Sequence, residues 1–311
     1  MRVAVVDIGT NSTRLLIADV AADGALTQRH RESIVTRLGE RVDATGRLAD
    51  EAMQRVFDTL ARFRTLLEAH GVQQTTAVLT SAVRDADNGA EFAAQVAQRT
   101  GIEARTIGGD EEAALTFAGA TSERAHGGEE VAVVDIGGGS TEFIVGRDGE
   151  VEFHTSTQAG VVRQTERHLH DDPPPPDGLQ TLAEEVAAII AEAIPQELRD
   201  RVQTAIAVAG TATSSASIEL ALDPYDPERV HGHVLELATL ELTLARLAQM
   251  TDEQRRDVTG LQPDRAPTIV AGVAMLIEVL RAFGLERVEV SEHDILRGAA
   301  LRLAAQSRTG G

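Results

Sequence analysis

The sequence predicts an α/β protein made of two equivalent halves, each a β-meander followed by alternating helices and strands. Three observations carry this reading. Residues 3–9, Val-Ala-Val-Val-Asp-Ile-Gly, recur letter for letter at residues 131–137. Ser-Thr follows at the same offset in both copies, as Ser12-Thr13 and Ser140-Thr141. Each glycine loop leads into a second strand-like run rather than into a helix. A seven-residue identity within one chain points to two structurally equivalent units.

The elements follow from local pattern. Arg14–Val20 reads as a strand, Ala22-Asp23-Gly24 as a turn and Leu26–Ile34 as a third strand. In the second copy Glu142–Gly146 is a strand, Arg147-Asp148-Gly149-Glu150 a turn and Val151–Thr155 a strand. A dinucleotide-binding fingerprint runs from strand into helix, so these glycines do not form one. Apolar positions at helical spacing predict a helix over Asp50–Ala69, through Met53, Val56, Phe57, Leu60, Phe63, Leu66 and Leu67. Further helices are expected at Glu91–Arg99, Asp110–Ser122, Gly178–Ala193, Ala238–Gln249, Pro267–Phe283 and Asp294–Ala305. Short apolar strands lie between them at Thr76–Leu79, Ala104–Ile107, Thr204–Val208 and Val288–Val290, making five strands in each half. The run from Asp171 to Asp177, with four prolines, reads as a rigid solvated loop.

Composition removes several chemistries. The 311 residues contain no cysteine, so thiol nucleophiles, disulfides and thiolate metal sites are out. All 29 basic residues are arginine. A Walker phosphate loop, a kinase catalytic lysine and Schiff-base catalysis all need a lysine and are therefore excluded. The N-terminus lacks a signal-peptide pattern, and no run approaches the roughly 20 apolar residues of a membrane helix. A cytoplasmic protein is expected. A net charge of −20 argues against nucleic-acid or anionic-membrane partners.

What remains open is phosphate chemistry on oxygen-bound metal. Such chemistry needs backbone N–H donors, a cation to screen oxygen charge and a positioned water. Gly9-Thr10-Asn11-Ser12 and Gly137-Gly138-Gly139-Ser140-Thr141 offer amides and hydroxyls in tight turns, and glycines let the backbone approach an anion closely. Gly210-Thr211 follows an apolar strand and opens a helix, a third phosphate-binding candidate. Asp7 and Asp135 end equivalent strands, so their carboxylates are expected to face each other across a cleft, with Glu142 completing a Mg²⁺ donor set. A lone Asp-Gly usually just ends a strand; the duplication with hydroxyl-rich loops makes that bland reading the weaker one. Asp110-Glu111-Glu112 alone would only favour a helix N-terminus. Two histidine pairs, His168/His170 and His231/His233, carry transition-metal donors, but no third ligand accompanies either at a fixed helical offset.

Taken together, Asp7–Ser12 and Asp135–Glu142 resemble the two phosphate-loop motifs of the exopolyphosphatase / guanosine pentaphosphate phosphohydrolase family. Thr80–Asn88 resembles that family's Thr-x-Ala-x-Arg-x-Ala-x-Asn stretch, Gly109–Ala113 its Gly-x-Glu-Glu-Ala stretch and Gly210-Thr211 its third glycine element. The likeness spans nearly the whole chain. It implies two ribonuclease-H-like domains of the actin-like superfamily, each a mixed five-stranded sheet flanked by helices. Domain I would be residues 1–124 completed by helix 299–311, and domain II residues 125–298, with His126-Gly127-Gly128 as hinge. The resemblance further implies that Glu112 orients the attacking water, with Glu111 in reserve, and that Asp135 and Glu142 act catalytically and bind or position Mg²⁺. Asp7 is expected to join them as a metal ligand, with Mn²⁺ as the alternative ion. Arg84 is the first choice for a phosphate-contacting cation; Arg14 is weaker because its side chain could point away, and Arg163 and Arg167 could extend a basic track.

The expected activity is Mg²⁺-dependent release of terminal phosphate from short-chain inorganic polyphosphate, with guanosine pentaphosphate (pppGpp) as the alternative substrate. A homodimer is what the family suggests. A related small-molecule kinase, a non-hydrolysing sensor and an actin-like filament protein are the competing classes; no sugar-binding insertion is present, and both Glu112 and Asp135 are. Ser291-Glu292-His293-Asp294-Ile295-Leu296-Arg297-Gly298 departs from the family's usual Ser-Asp-Gly-x-Leu-Arg-Glu-Gly.

Overall fold

The computed structural model describes residues 1–125 and 127–309, so His126 of the expected hinge lies outside the described residues, as do the last two residues of the expected closing segment. The chain forms two compact units, Met1–Gly119 with Ile295–Gly311, and Ala120–Asp294. The sequence reading set these crossovers at 124/125 and 298/299, a few residues later.

Unit 1 begins with β1 (Arg2–Ile8), β2 (Ser12–Val20) and β3 (Leu26–Val35), then α1 (Val42–Thr45) and α2 (Asp50–Ala69). It continues with β4 (Gln74–Leu79), α3 (Ser81–Asp85), α4 (Gly89–Thr100), β5 (Glu103–Thr106) and α5 (Gly109–Ala120). The sheet order is β3-β2-β1-β4-β5, antiparallel through the meander and parallel from β1 to β4 and β5. Strand alternation splits the core. Ala4, Val6 and Ile8 of β1 pack with Val56, Leu60 and Phe63 of α2 on one face. Val3 and Val5 pack with Ile295, Leu296 and Ala299 of the C-terminal helix on the other. That burial on both faces explains why Val3–Val6 of β1 is a continuous apolar run rather than an alternating one.

Unit 2 repeats the plan. It contains β6 (Val131–Ile136), β7 (Thr141–Arg147), β8 (Glu150–Thr157), α6 (Val161–His168), α7 (Pro176–Ala193) and α8 (Gln196–Arg201). Then come β9 (Thr204–Val208), α9 (Ala209–Glu219), α10 (Pro227–Val230), β10 (Val234–Glu236), α11 (Leu237–Leu247), α12 (Asp252–Arg256), α13 (Ile269–Phe283) and β11 (Arg287–Val290). The chain ends in α14 (Ile295–Thr309), which belongs to unit 1. The sheet order β10-β11-β9-β6-β7-β8 reproduces the first sheet and adds an edge strand. Both sheets have the ribonuclease-H-like arrangement. The second has six strands where five are expected, because β10 is only three residues long and shows no alternation that a sequence pattern could report. Helix α13 is buried on almost every side, which matches its almost wholly apolar sequence.

The proline-rich loop is tied down at Asp172, whose carboxylate pairs with the buried Arg255 guanidinium at 3.1 Å and accepts from Asp252 N–H. Among the described residues no helix is long and apolar enough to cross a membrane.

Candidate active site

Each glycine loop is oriented by its own unit. In unit 2, Val161 N–H donates to Gly137 O at 2.9 Å, Val162 N–H to Gly138 O at 2.9 Å, and Arg163 Nε–H to Gly139 O at 3.3 Å. Those three carbonyls therefore point at the start of α6. In a trans peptide the C=O of one residue and the N–H of the next point in opposite directions. The amides of Gly138, Gly139 and Ser140 are thus directed away from α6, as three successive donors that an anion could use. Gly160 makes the approach feasible: a Cβ there would lie 2.3 Å from Gly138 O. The Arg163 side chain, expected as part of a basic track, holds the loop by its contact with Gly139 O.

Unit 1 does the same with different residues. Gly39 N–H donates to Thr10 O at 2.8 Å, and Thr36 N–H and Arg37 N–H both donate to Asn11 O. By the same peptide geometry the amides of Asn11 and Ser12 face the opposite side. Thr10 Oγ1 lies 2.9 Å from Ser81 Oγ, joining this loop to the start of α3. The third element, Gly210-Thr211, lies in the first turn of α9, where the leading amides have no intrahelical acceptor.

Beneath the two duplicated loops the cross-strand partners differ, and this difference decides the electrostatics. In β1/β2, Asp7 stands opposite Arg14; in β6/β7, Asp135 stands opposite Glu142. Arg14 donates Nε–H to Asp7 Oδ2 at 2.7 Å, with Nη2 at 2.6 Å, and the Asp7 carboxylate is 3% exposed. Breaking a buried pair of this kind costs about 3–5 kcal/mol. Asp7, grouped by sequence with the metal donors, thus has its Oδ2 on a guanidinium. Arg14 was expected to be able to point away; the shared face of directly opposed residues turns it inward. Across the strand Glu142 meets Asp135 where Asp7 meets an arginine. Its Oε1 accepts from Ser140 Oγ at 2.6 Å and Ser156 Oγ at 2.8 Å. Asp135 and Glu142 together form a hard-oxygen set suited to Mg²⁺.

Glu111 and Glu112 separate clearly. Glu111 pairs with Arg105 at 2.6 Å and Arg302 at 2.8 Å. The hydrogen bond from Arg105 holds its carboxyl below the usual range against the opposing effect of burial. It is a structural ion cluster binding α5 to β5 and α14. Glu112 sits one residue on and pairs with Arg84 Nη1 at 3.0 Å; the same nitrogen donates to Ile107 O. Arg84 comes from α3, a five-residue helix that sequence periodicity is too short to reveal. Asn88, within the same stretch, is structural: it brackets Leu48 through Leu48 N–H to Oδ1 and Nδ2–H to Leu48 O.

Two residues were missed by sequence reading. Ser156 is one, visible only through its register with Glu142. Arg265 is the other. Its guanidinium covers Gly210 so closely that a Cβ there would lie 1.6 Å from Nη1 and 2.1 Å from Cζ. The preceding Ala209 has φ 62, a left-handed backbone unusual for a residue with a Cβ. The bareness of Gly210 was the available signal, but nothing in sequence says which side chain uses the space.

The chain is similar along nearly its whole length to known proteins. The sequence profile of the Ppx/GppA phosphatase family matches residues 16–305. Exopolyphosphatase 2 of Mycobacterium tuberculosis is 39% identical over 97% of this chain and 98% of its own length. The crystal structure of the Aquifex aeolicus Ppx/GppA family member superposes with a TM-score of 0.85 at 30% identity, covering 99% of this chain and 98% of that one. An exopolyphosphatase from Cytophaga hutchinsonii gives a TM-score of 0.88 at 26% identity, covering 98% of both chains. With its two duplicated glycine loops and near end-to-end similarity to these proteins, the chain belongs to the Ppx/GppA phosphatase family.

Proposed function

We propose that this protein is a divalent-metal-dependent exopolyphosphatase that releases orthophosphate from the end of short inorganic polyphosphate chains. The observation that carries the reading is the direction of the loop amides: both duplicated loops spend their carbonyls on their own unit and turn successive N–H groups outward. Donors of that kind suit the oxygens of a phosphate chain and need no lysine. Family membership and the similarity to proteins named exopolyphosphatase support the same reaction.

In this scheme Gly9–Ser12, Gly137–Thr141 and Gly210-Thr211 bind phosphate oxygens. Arg84 contributes charge to the same chain, and Arg265, resting on Gly210, adds a second guanidinium. Glu112 holds a water in line with the terminal phosphorus and accepts its proton as the P–O bond to the leaving chain breaks. Its pairing with Arg84 Nη1 at 3.0 Å aims the carboxylate. Phosphoryl transfer asks for positioning and charge neutralisation more than for a strong base. Asp135 and Glu142 would hold Mg²⁺, or Mn²⁺ in its place, which supplies screening of phosphate charge when bound. Asp7 is assigned to Arg14 rather than to the ion.

The test is orthophosphate release from short polyphosphate and, separately, from pppGpp, with and without Mg²⁺, for wild type and Glu112→Gln. Metal-dependent release from polyphosphate that falls by about 10²–10⁴-fold in the variant is expected for loss of a general base. Release from pppGpp alone would keep the mechanism and change the substrate. Tight binding of both compounds without turnover would overturn the enzymatic reading.

A further inference from the structure

We infer that unit 2 carries a second metal site, for a transition-metal ion such as Zn²⁺, built from Glu123, His231 and His293. Each offers one donor atom, and the three donor atoms lie within 4.8 Å of one another. His231 Nε2 is 3.4 Å from Glu123 Oε2, and His293 Nδ1 is 3.9 Å from the same oxygen. Both separations are longer than a good N–H···O bond, which runs to about 3.2 Å. They approach the spacing of donors around one ion: with bonds of about 2.05 Å in a tetrahedron, neighbouring donors stand about 3.3 Å apart. Two imidazoles and one carboxylate, with a fourth position for water or a further ligand, match zinc preferences rather than those of Mg²⁺.

The two histidines are presented by fixed backbone. Gly232 N–H donates to Val290 O and Val290 N–H to His233 O, both at 2.8 Å, so the His231 turn is laced to the end of β11. Gly232, at φ 76, makes that turn. His293 N–H donates to the buried Ser291 Oγ at 2.9 Å, and Ser291 N–H to Ala207 O. Glu123 is exposed and can adjust. Of the paired histidines noticed in sequence, His233 turns away toward Glu219, at 3.6 Å. The partner of His231 comes instead from a segment sixty residues on, the one that departs from the family pattern.

Loading requires two small movements. The ring centroids are 3.9 Å apart with a 38° tilt. Two imidazoles bound radially to one tetrahedral ion stand about 5 Å apart, so one ring has to rotate. Glu292 N–H donates to His231 Nδ1 at 3.3 Å. Ligation through Nε2 places the ring proton on Nδ1 and gives up that long bond. The expected affinity is accordingly micromolar rather than that of a structural zinc finger. Glu123 lies four residues into unit 2 and His293 one residue before its end. An ion here would fasten the first and last turns of unit 2 to the His231 loop.

The experiment is a competitive titration of metal-stripped protein with Zn²⁺ against a chromophoric chelator, in millimolar Mg²⁺ to occupy the oxygen site. Wild type is expected to take one equivalent, weakened at least tenfold in His231→Gln, in His293→Gln and in Glu123→Gln. The last variant changes an exposed side chain and guards against a folding artefact. Co²⁺ in place of Zn²⁺ should give the visible bands of a four-coordinate site, lost in the histidine variants. No bound equivalent in wild type, or one unaffected by all three substitutions, would overturn the proposal.

Discussion

Replacing Gly210 with alanine separates the role of Arg265 from its contribution to stability. The added Cβ would lie 1.6 Å from Arg265 Nη1, 2.1 Å from Cζ and 2.4 Å from Nη2, where ordinary contact begins at 3.4 Å. The guanidinium therefore has to retreat by about 1.8 Å, well beyond the few tenths of an ångström over which a hydrogen bond tolerates displacement. What yields is the end of a flexible side chain, so the fold survives. Gly210 is not in the left-handed region, and alanine is the better helix former by up to about 1 kcal/mol. A melting temperature equal to or slightly above wild type is expected. If Arg265 donates to a substrate phosphate, losing one charge-assisted bond costs about 1.5–3 kcal/mol. That corresponds to a fall in kcat/KM of about 10- to 150-fold. The assay is initial-rate phosphate release for Gly210→Ala, Arg265→Ala and the double variant. Because the two changes remove one interaction, their effects should not add. Wild-type kcat/KM in Gly210→Ala, with Arg265 shown to be displaced, would refute the assignment.

Other expectations follow from the same contacts. Arg14→Ala takes the guanidinium away from the nearly buried Asp7 carboxylate, and denaturant titration should show a loss of about 3 kcal/mol. Ser156→Ala removes one of two hydroxyls on Glu142 Oε1, so the Mg²⁺ concentration for half-maximal activity should rise about tenfold while stability changes little. An unchanged Mg²⁺ dependence would detach Glu142 from the ion. Glu111→Gln tests the ion cluster by pH. The Glu111 carboxyl titrates below its ordinary 4.5, so its stabilisation is present above that value and drains away as pH falls through the lowered one. The gap in melting temperature between wild type and variant should be widest near neutrality and close in acid; a gap independent of pH would contradict the pairing.

Much of the architecture was legible from residue order because its cues are local. The duplicated Val-Ala-Val-Val-Asp-Ile-Gly marked equivalent strands, and the structure sets them as β1 and β6 in matching sheet positions. Helix α2 runs over Asp50–Ala69, as its apolar spacing predicts, and β9 over Thr204–Val208. Long periodic segments announce themselves because their burial repeats with the backbone period. The equally short β9 is marked by its continuous apolar run, whereas β10, α3 and α8 have neither such a run nor enough repeats to show a period.

For the site, the sequence by itself determined which residue types could handle phosphate: glycine loops, hydroxyls, carboxylates and arginine, with lysine and cysteine absent. It could not assign them partners. Asp7 and Asp135 are identical in local sequence, yet one faces Arg14 and the other Glu142. Glu111 and Glu112 are adjacent, yet one is held by Arg105 and Arg302 while the other meets Arg84. In sequence His231 pairs with His233, and neither that pair nor His168/His170 has a third ligand; the fold sets His293 and Glu123 beside His231. Those distinctions rest on cross-strand register and on contacts between residues distant in the chain. A carboxylate's role depends on the charge it meets in space, and only the tertiary structure decides that.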